Sequence, residues 1–493
     1  MQAPLADSDQ MLSAIERFED ARVLCIGDVM LDRFMYGQVE RISPEAPIPV
    51  FRFDHEDTML GGAGNVVRNL LSLGANVKFV SVIGDDQVGH QITKEISEYT
   101  KLEPYLISER GRQSTQKLRY IAGQQQLLRA DHEQVSALEE RTHEQLLSIA
   151  ESLIEEVDAI ILSDYGKGVI TPATAQAILA MAAKHGKPSF VDPKSRHFAD
   201  YKGAYLLSPN AEEFKRAAEL ADLKDETKNQ SAADVIRSES DLKHLLVTRG
   251  KDGMSLFGED TAHHIPTNAR EVYDVSGAGD TVIATLTLAH ISGLDILPAA
   301  QLANVAAGVV VGKVGTATIY RTDLKTALYT QEMREGSRKI LARESLIEKV
   351  RQWQDRGLKV GFTNGCFDVM HAGHVQLLED AKAQCDRLVV GLNSDDSVKR
   401  LKGESRPVNQ EMDRAMLLSA IGAVDALSIF REDTPEELLK SLRPDVLMKG
   451  ADYSKDQVVG GDFVESYGGK VFLLPLKDGY STTNTIEKLQ KNA

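Results

Sequence analysis

Thr363 to Lys382 reads TNGCFDVMHAGHVQLLEDAK, and this stretch decides how the second half of the chain folds. The segment KVGFTNG, ending at Gly365, is a short apolar run of strand type. HVQLLEDAK then spaces Val375, Leu377, Leu378 and Ala381 as one face of a helix. GCFDVMHAGH therefore lies between a strand's C-terminal end and a helix N-terminus. In an open α/β sheet ligands bind at that edge, and the free N–H groups and helix dipole favour an anion there. His371 and His374 leave three readings open. Metal ligation needs a third donor, with Cys366 and Asp368 nearest in sequence. A core role fits poorly with a polar, Gly-containing loop. Two imidazole donors aimed at one phosphate suit nucleotidyl transfer, in which the protein positions reactants and stabilises charge on the α-phosphoryl oxygens.

Outward from this stretch the same alternation continues. RLVVGLNSD, ALSIF, DVLMKG and KVFLLPL follow as strands with helices between them, five strands in all, a nucleotide-binding type of sheet. Toward the N-terminus, RVLCIGD, VKFVSVIG, AIILSDY, PSFVDP, AYLLSPN and HLLVTRG alternate with helical patterns up to about Leu328. That alternation predicts a parallel sheet covered by helices on both faces. A charged helical segment, Gln331 to Gly357, joins the halves without a Gly/Ser or Pro-rich linker, and the boundary falls between Thr330 and Ala342. The expectation is two unrelated α/β domains, residues 1–335 and 343–493.

Composition sets the outer limits. At 493 residues, one core is too few. With 42% hydrophobic and 26% charged residues the chain is of globular type, and no apolar run approaches a membrane span. A net charge of −16 argues against a nucleic-acid binder. Three scattered cysteines make no disulfide framework, and the opening MQAPLADSDQ lacks a signal-peptide pattern, so a cytoplasmic protein is expected.

VYDVSGAGDTVIATL, Val272 to Leu286, sets a Gly-rich turn directly before an apolar helix, with Asp280 in its first turn. Phosphoryl transfer to a hydroxyl needs those parts: N–H groups for the transferred phosphate and a base for the hydroxyl proton. Other polar loops recur at strand ends. GDVMLDRFMYG offers Asp28 and Asp32, GGAGNVVRN offers Gly61, Gly62 and Asn65, and SDYGKG places Lys167 on a Gly-flanked loop, with Arg119 in STQKLRYIAG as a comparable cation.

Family resemblance sharpens both halves. Gly365 to His374 resembles the G-x-F-D-x-x-H-x-G-H signature of the cytidylyltransferase-like nucleotidyltransferases, and GYSTTNTIEKL resembles their second element. The resemblance implies transition-state stabilisation by His371 and His374. It implies nucleotide contacts from Thr363, Gly365, Phe367, Asp368, Asn393, Asp395, Lys402, Lys449, Ser481, Thr482 and Thr483. Val272–Leu286 resembles the D-T-x-G-A-G-D motif of the ribokinase (PfkB) carbohydrate kinases, with Val-Ser at 275–276 departing from it. That likeness implies Asp280 as base, Gly277, Ala278 and Gly279 as anion hole, and Asp28, Asp32, Gly61, Gly62 and Asn65 as sugar contacts. It further implies ATP contacts from Asn210 and Glu213 (the N-x-x-E element, with Mg²⁺ carried by ATP near Glu213) and from Thr248, Gly250 and Gly253. Lys167 and Arg119 become candidates for a phosphate already on the sugar.

A ribokinase-like domain followed by a smaller Rossmann-like nucleotidyltransferase domain resembles the bifunctional heptose 7-phosphate kinase/heptose 1-phosphate adenylyltransferases, apart from roughly the first 20 residues. That resemblance, not residue spacing, implies ATP and heptose phosphates as substrates and ADP-heptose for the lipopolysaccharide core as product. A fused kinase and cytidylyltransferase for another sugar or polyol phosphate is the alternative. A homodimer is expected by analogy, with no nucleic-acid or membrane partner.

Overall fold

The computed structural model describes residues 8–123, 125–259, 261–267, 276–313, 317–450 and 455–475. The chain divides into two compact units, Met1–Leu328 and Tyr329–Ala493, and the division falls inside the helix Arg321–Arg338.

In the first unit Val23 and Cys25 face one hydrophobic cluster, and Leu24 and Ile26 face another. This alternation is what a strand buried on both faces must show. Arg22–Gly27 pairs in parallel with Asn76–Gly84 on one side and Ala159–Ser163 on the other. Among the described residues the sheet has nine strands. In spatial order they are Thr261–Ile265, Met254–Gly258, His244–Thr248, Leu206–Leu207, Ser189–Asp192, Ala159–Ser163, Arg22–Gly27, Asn76–Gly84 and Leu102–Glu109. The chain runs from Arg22–Gly27 to one side and returns to the other, so the crevice beyond Gly27 and Ser163 is the topological switch point.

Two features depart from the all-parallel expectation. Met254–Gly258 and Thr261–Ile265 are antiparallel. A separate four-stranded sheet, in the order Pro49–Gly62, Val29–Ile42, Thr115–Ala122, Gln125–His132, carries Asp32 and Arg119. The N-terminus is also integral: helix Ser8–Glu16 and the turn after it bury Met11, Ala14, Ile15 and Phe18.

The second unit follows the sequence pattern closely. Five parallel strands lie in the order Ala426–Phe430, Arg387–Asn393, Val360–Gly365, Val446–Gly450, Lys470–Leu474. Its switch point lies between the ends of Val360–Gly365 and Val446–Gly450.

The loop after Ala159–Ser163 depends on glycine. Gly168 has φ +103°, and a Cβ there would sit 1.9 Å from the Ser136 carbonyl oxygen. No L side chain fits without moving backbone. Gly168→Ala should therefore destabilise the kinase unit by roughly 1–3 kcal/mol. Urea unfolding of the full chain should show an earlier first-unit transition with the second unit's transition unmoved.

Candidate active sites

Helix Ala278–Ile291 begins at Gly277, whose φ of +78° turns the chain into the helix without a Cβ clash. Its first-turn N–H groups lack intrahelical partners, and such a helix start can take an anion. Asp280, in that turn, is 6% exposed. Its Oδ2 accepts from Asn65 Nδ2 at 2.6 Å and its Oδ1 from the Tyr165 hydroxyl at 2.5 Å. Burial pushes the carboxyl up to about 6, against the two hydrogen bonds that pull it down. At neutral pH it is mostly ionised yet a stronger base than an exposed carboxylate, as a general base should be.

The sugar-side residues separate into two kinds. Asp32 is 5% exposed, and its Oδ1 accepts from Arg119 Nη1 at 2.7 Å. Gly61 makes room for it, since a Cβ there would lie 2.5 Å from Asp32 Oδ2. Asn65 also accepts from Arg68 Nη1 at 3.1 Å, which orients its amide. Asp28 departs from the expected sugar contact. Its Oδ2 accepts the N–H groups of Tyr165 (2.9 Å) and Lys167 (3.0 Å), and its Oδ1 that of Val169 (3.0 Å). Its carboxylate accepts three backbone N–H groups and shapes the loop that carries Tyr165 and Lys167. Lys167 Nζ pairs with Glu133 at 2.8 Å, and Lys117 with Asp131 at 3.2 Å. The Gly62 backbone, at φ +58°, caps helix Ala63–Ser72.

On the nucleotide side, Asn210 and Glu213 form a capping box on helix Ala211–Ala217. Asn210 Oδ1 accepts the Glu212 and Glu213 N–H groups at 3.0 Å, and Glu213 Oε2 accepts the Asn210 N–H at 2.9 Å. The N-x-x-E element thus builds a helix start, leaving Glu213 Oε1 3.5 Å from Lys194 Nζ. Asn210 bridges to Thr248. Gly250 and Gly253, both at positive φ, turn the chain from Thr248 into Met254–Gly258.

Two residues of this site were not read from the sequence. Tyr165 stands beside the singled-out Lys167. Asp192 ends the strand Ser189–Asp192, and burial, then the charges of Asp280, Glu213 and Asp164, raise its carboxyl well above the usual range. Among the described residues no three acidic, His or Cys side chains could hold a metal by themselves.

In the second unit, helix Ala372–Lys382 starts at His371, and His374 lies in its first turn. Their rings stack at 3.8 Å, and Phe367 meets His374 edge-on at 5.3 Å. Phe367 is 5% exposed and has φ +44°, a strained backbone that drives its ring under His374. Burial first, then His371 and Lys402, lower His374 to about 4, so the ring is neutral at pH 7. His374 Nδ1, Asn364 Oδ1 and Arg406 Nη2 are buried without a hydrogen-bond partner among the described residues, as a site that completes its bonds with ligand would be.

Lys449 Nζ donates to the Asn364 carbonyl at 2.9 Å, across the switch point. Thr363 is buried in its strand, and Gly365 has Phe367 against it. Asp368 differs from a nucleotide contact: it is 2% exposed, pairs with Arg406, and accepts the Val408 N–H at 2.6 Å. Asn393 donates to Ser397 Oγ at 3.0 Å, and Asp395 is taken by Arg414 Nη2 at 2.7 Å. Arg414, which no motif had singled out, is fully buried and also donates to the carbonyls of Cys366, Asn393 and Asn409. Ser481, Thr482 and Thr483 lie outside the described residues.

Residues 20–323 match the pfkB family carbohydrate kinases, and residues 362–487 match the cytidylyltransferase-like family. The first unit has the fold of phosphofructokinase-2 from Escherichia coli (18% identity, TM-score 0.53, 63% of this chain and 99% of that one). Arabidopsis thaliana ribokinase is similar (17% identity, TM-score 0.50, 62% and 98%). The chain is thus a carbohydrate kinase joined to a nucleotidyltransferase. Over 489 residues it is 50% identical to the bifunctional protein HldE of Paramagnetospirillum magneticum, covering 99% of this chain and 100% of that one. The Caulobacter vibrioides protein of that name is 47% identical, covering 98% and 99%. The chain belongs to the HldE family of bifunctional enzymes, and the likeness takes in most of the first 20 residues as well.

Separate cores predict separable activities. Asp280→Asn should lower sugar phosphorylation by roughly 10²–10⁴-fold and leave nucleotidyl transfer intact. His374→Ala should lower nucleotidyl transfer by roughly 10²–10³-fold and spare the kinase. Parallel assays of ADP and pyrophosphate release read both.

Proposed function

We propose that the chain carries out two steps of ADP-heptose synthesis for the lipopolysaccharide core. In the first unit, Asp280 takes the proton of the anomeric hydroxyl of D-glycero-β-D-manno-heptose 7-phosphate. The freed oxygen attacks the γ-phosphorus of ATP, the bond to the β–γ bridging oxygen breaks, and ADP leaves. In the second unit, heptose 1-phosphate attacks the α-phosphorus of another ATP, releasing pyrophosphate, with His371 and His374 donating to the α-phosphoryl oxygens. The observation that carries the kinase half is a buried carboxylate, held by two donors, in the first turn of a helix that can cradle phosphate. Loss of the 7-phosphate between the steps needs a separate phosphatase.

Lys167 and Lys117 supply the cationic place for the sugar's own phosphate. Each now lies against a carboxylate, Glu133 or Asp131, that a dianion would outcompete. Mg²⁺ would arrive with ATP and face Glu213, where it would neutralise phosphate charge. One carboxylate plus phosphates and water suits Mg²⁺, which rarely takes an all-protein cage. We place the reactions in the cytoplasm, in keeping with three free cysteines and no helix among the described residues able to cross a membrane.

Purified chain should release ADP from Mg-ATP with heptose 7-phosphate, and pyrophosphate with heptose 1-phosphate. Silence with both, while CTP or other sugar phosphates turned over, would remove the heptose assignment. The four-stranded sheet exposes Ile42 (61%), Phe53 (51%) and Leu128 (58%), which favours a homodimer through that sheet. Light scattering should give twice the chain mass, and Phe53→Asp should halve it.

A further inference from the structure

We propose that Tyr165 is a positioning residue of the kinase reaction: its phenol, aimed by the grip of Asp28 on the loop that carries it, fixes the Asp280 carboxylate in the orientation that takes the sugar proton. This rests on Asp280 being the base.

The geometry is over-determined in a way that a stray contact is not. The loop after Ala159–Ser163 is held at alternate N–H groups, those of Tyr165, Lys167 and Val169, by the one carboxylate of Asp28, itself 1% exposed. Between them Gly166 (φ +67°) and Gly168 (φ +103°) supply the turns that bring those N–H groups to one point. Asp164, the residue before, adds a fourth tie by accepting the Gly166 N–H at 2.7 Å, while the Tyr201 hydroxyl holds its other oxygen. The result sends the Tyr165 side chain to Asp280, 115 positions away in sequence.

At Asp280 the phenol and Asn65 each take one carboxylate oxygen. Rotation of the carboxylate about its own bond would break both hydrogen bonds. Each oxygen keeps a further acceptor position, so a sugar hydroxyl can dock without displacing either donor. The phenol acts as donor only. Burial, then the negative charges of Asp280 and Asp192, hold its proton on well above the usual tyrosine range. It therefore keeps its proton throughout, while the proton from the sugar goes to Asp280 and then to solvent.

Other groups act on Asp280 as well. Asn65 and Tyr165 donate to it, the negative charge of Asp32 opposes its ionisation, Arg68 favours it, and Asp192 and the Cys25 thiol lie within electrostatic reach. Of these, Tyr165 alone is a neutral donor on the loop that Asp28 organises. A donor to the charged form favours ionisation, so its removal must raise the pH at which Asp280 becomes an active base.

The test compares Tyr165→Phe, Asp280→Asn and unaltered full-length chain. Kinase kcat and sugar KM are followed from pH 5.5 to 9, with the first-unit transition in urea unfolding as the control for folding. Tyr165→Phe should lower kcat at pH 7 by roughly tenfold, in line with loss of a hydrogen bond to a charged group, and change KM little. The acid limb of kcat should move up by roughly one pH unit, so that the deficit narrows above pH 8. An equal loss at every pH, a rise in KM alone, or an unchanged rate would overturn the proposal. If Asp280→Asn kept kinase activity, the base assignment would fall and this inference with it. If Asp280→Asn were inactive while Tyr165→Phe matched the unaltered chain, only the role of Tyr165 would fall. Should Tyr165→Phe fold poorly, Asp28→Asn, which keeps the phenol and loosens the loop that aims it, has to give the same upward limb shift; an unmoved limb would overturn the proposal.

Discussion

The kinase unit turns on one carboxylate that holds a loop by its backbone. Asp28 follows the strand Arg22–Gly27 at the switch point, where the next strand over, Ala159–Ser163, ends so close that a Cβ on Gly27 would lie 2.1 Å from the Ser163 carbonyl oxygen. There the backbone of the following loop leaves the sheet with its N–H groups unpaired by any ladder. A buried N–H without a partner costs about 1–3 kcal/mol. Asp28 satisfies three of them at once, and hydrogen bonds to a charged acceptor are the stronger kind. The same act sets the direction of Tyr165 and the reach of Lys167, so backbone satisfaction and site construction are a single event.

The nucleotidyltransferase solves the mirror problem with the opposite charge. Here it is carbonyl groups that turn inward, those of Cys366 and Asn393 at strand ends and of Asn409 before helix Glu411–Ser419, and Arg414 serves them with a fully buried guanidinium whose charge is balanced by Asp395. Arg has five N–H donors in a rigid fork and suits this better than Lys. Asp368 and Arg406 form a second such node, tying the histidine loop to the segment 406–409. In both units the residues at hand to touch substrate are therefore fewer than the polar residues at the strand ends. The remainder hold the loops in shape.

That division explains what the sequence revealed. Strands buried on both faces show as apolar runs, so the central strands of the first sheet and all five strands of the second were legible, though not the spatial order of either. The four-stranded sheet was not. Val29–Ile42 and Pro49–Gly62 carry Asp32, Arg33, Gly37, Asp54 and Glu56 and have no apolar run, because much of that sheet is exposed. Motifs pointed to Asp280, His371 and His374, and the fold sets each of them in the first turn or at the N-cap of a helix beside a switch point. Motifs did not show that Asp28 and Asp368 hold loop N–H groups, since a carboxylate at a strand end looks the same whether it meets a ligand or a loop. Asn-x-x-Glu is itself the signature of a capping box, and that meaning was open to a local reading. Tyr165 and Arg414 were out of reach, because their partners are set by the fold and lie far off in sequence.

Burial then does opposite things to the two catalytic groups, with one consequence. It raises Asp280 to about 6 and lowers His374 to about 4. Each shift favours the neutral form, as loss of water must. For Asp280 the shift stops short of pH 7, so the group stays mostly charged while gaining basicity. For His374 the shift moves away from pH 7, so the ring stays neutral and donates without adding charge to a cleft that must also release pyrophosphate. A fixed cation would bind the oxygens of the substrate triphosphate and of the product pyrophosphate alike; a neutral donor gains most where charge grows, on the α-phosphoryl oxygens in the transition state. The Phe367 ring under His374 and the Asn65–Tyr165 pair on Asp280 are thus the same device in two chemistries: apolar or neutral neighbours that fix a group's direction and leave its charge to the reaction.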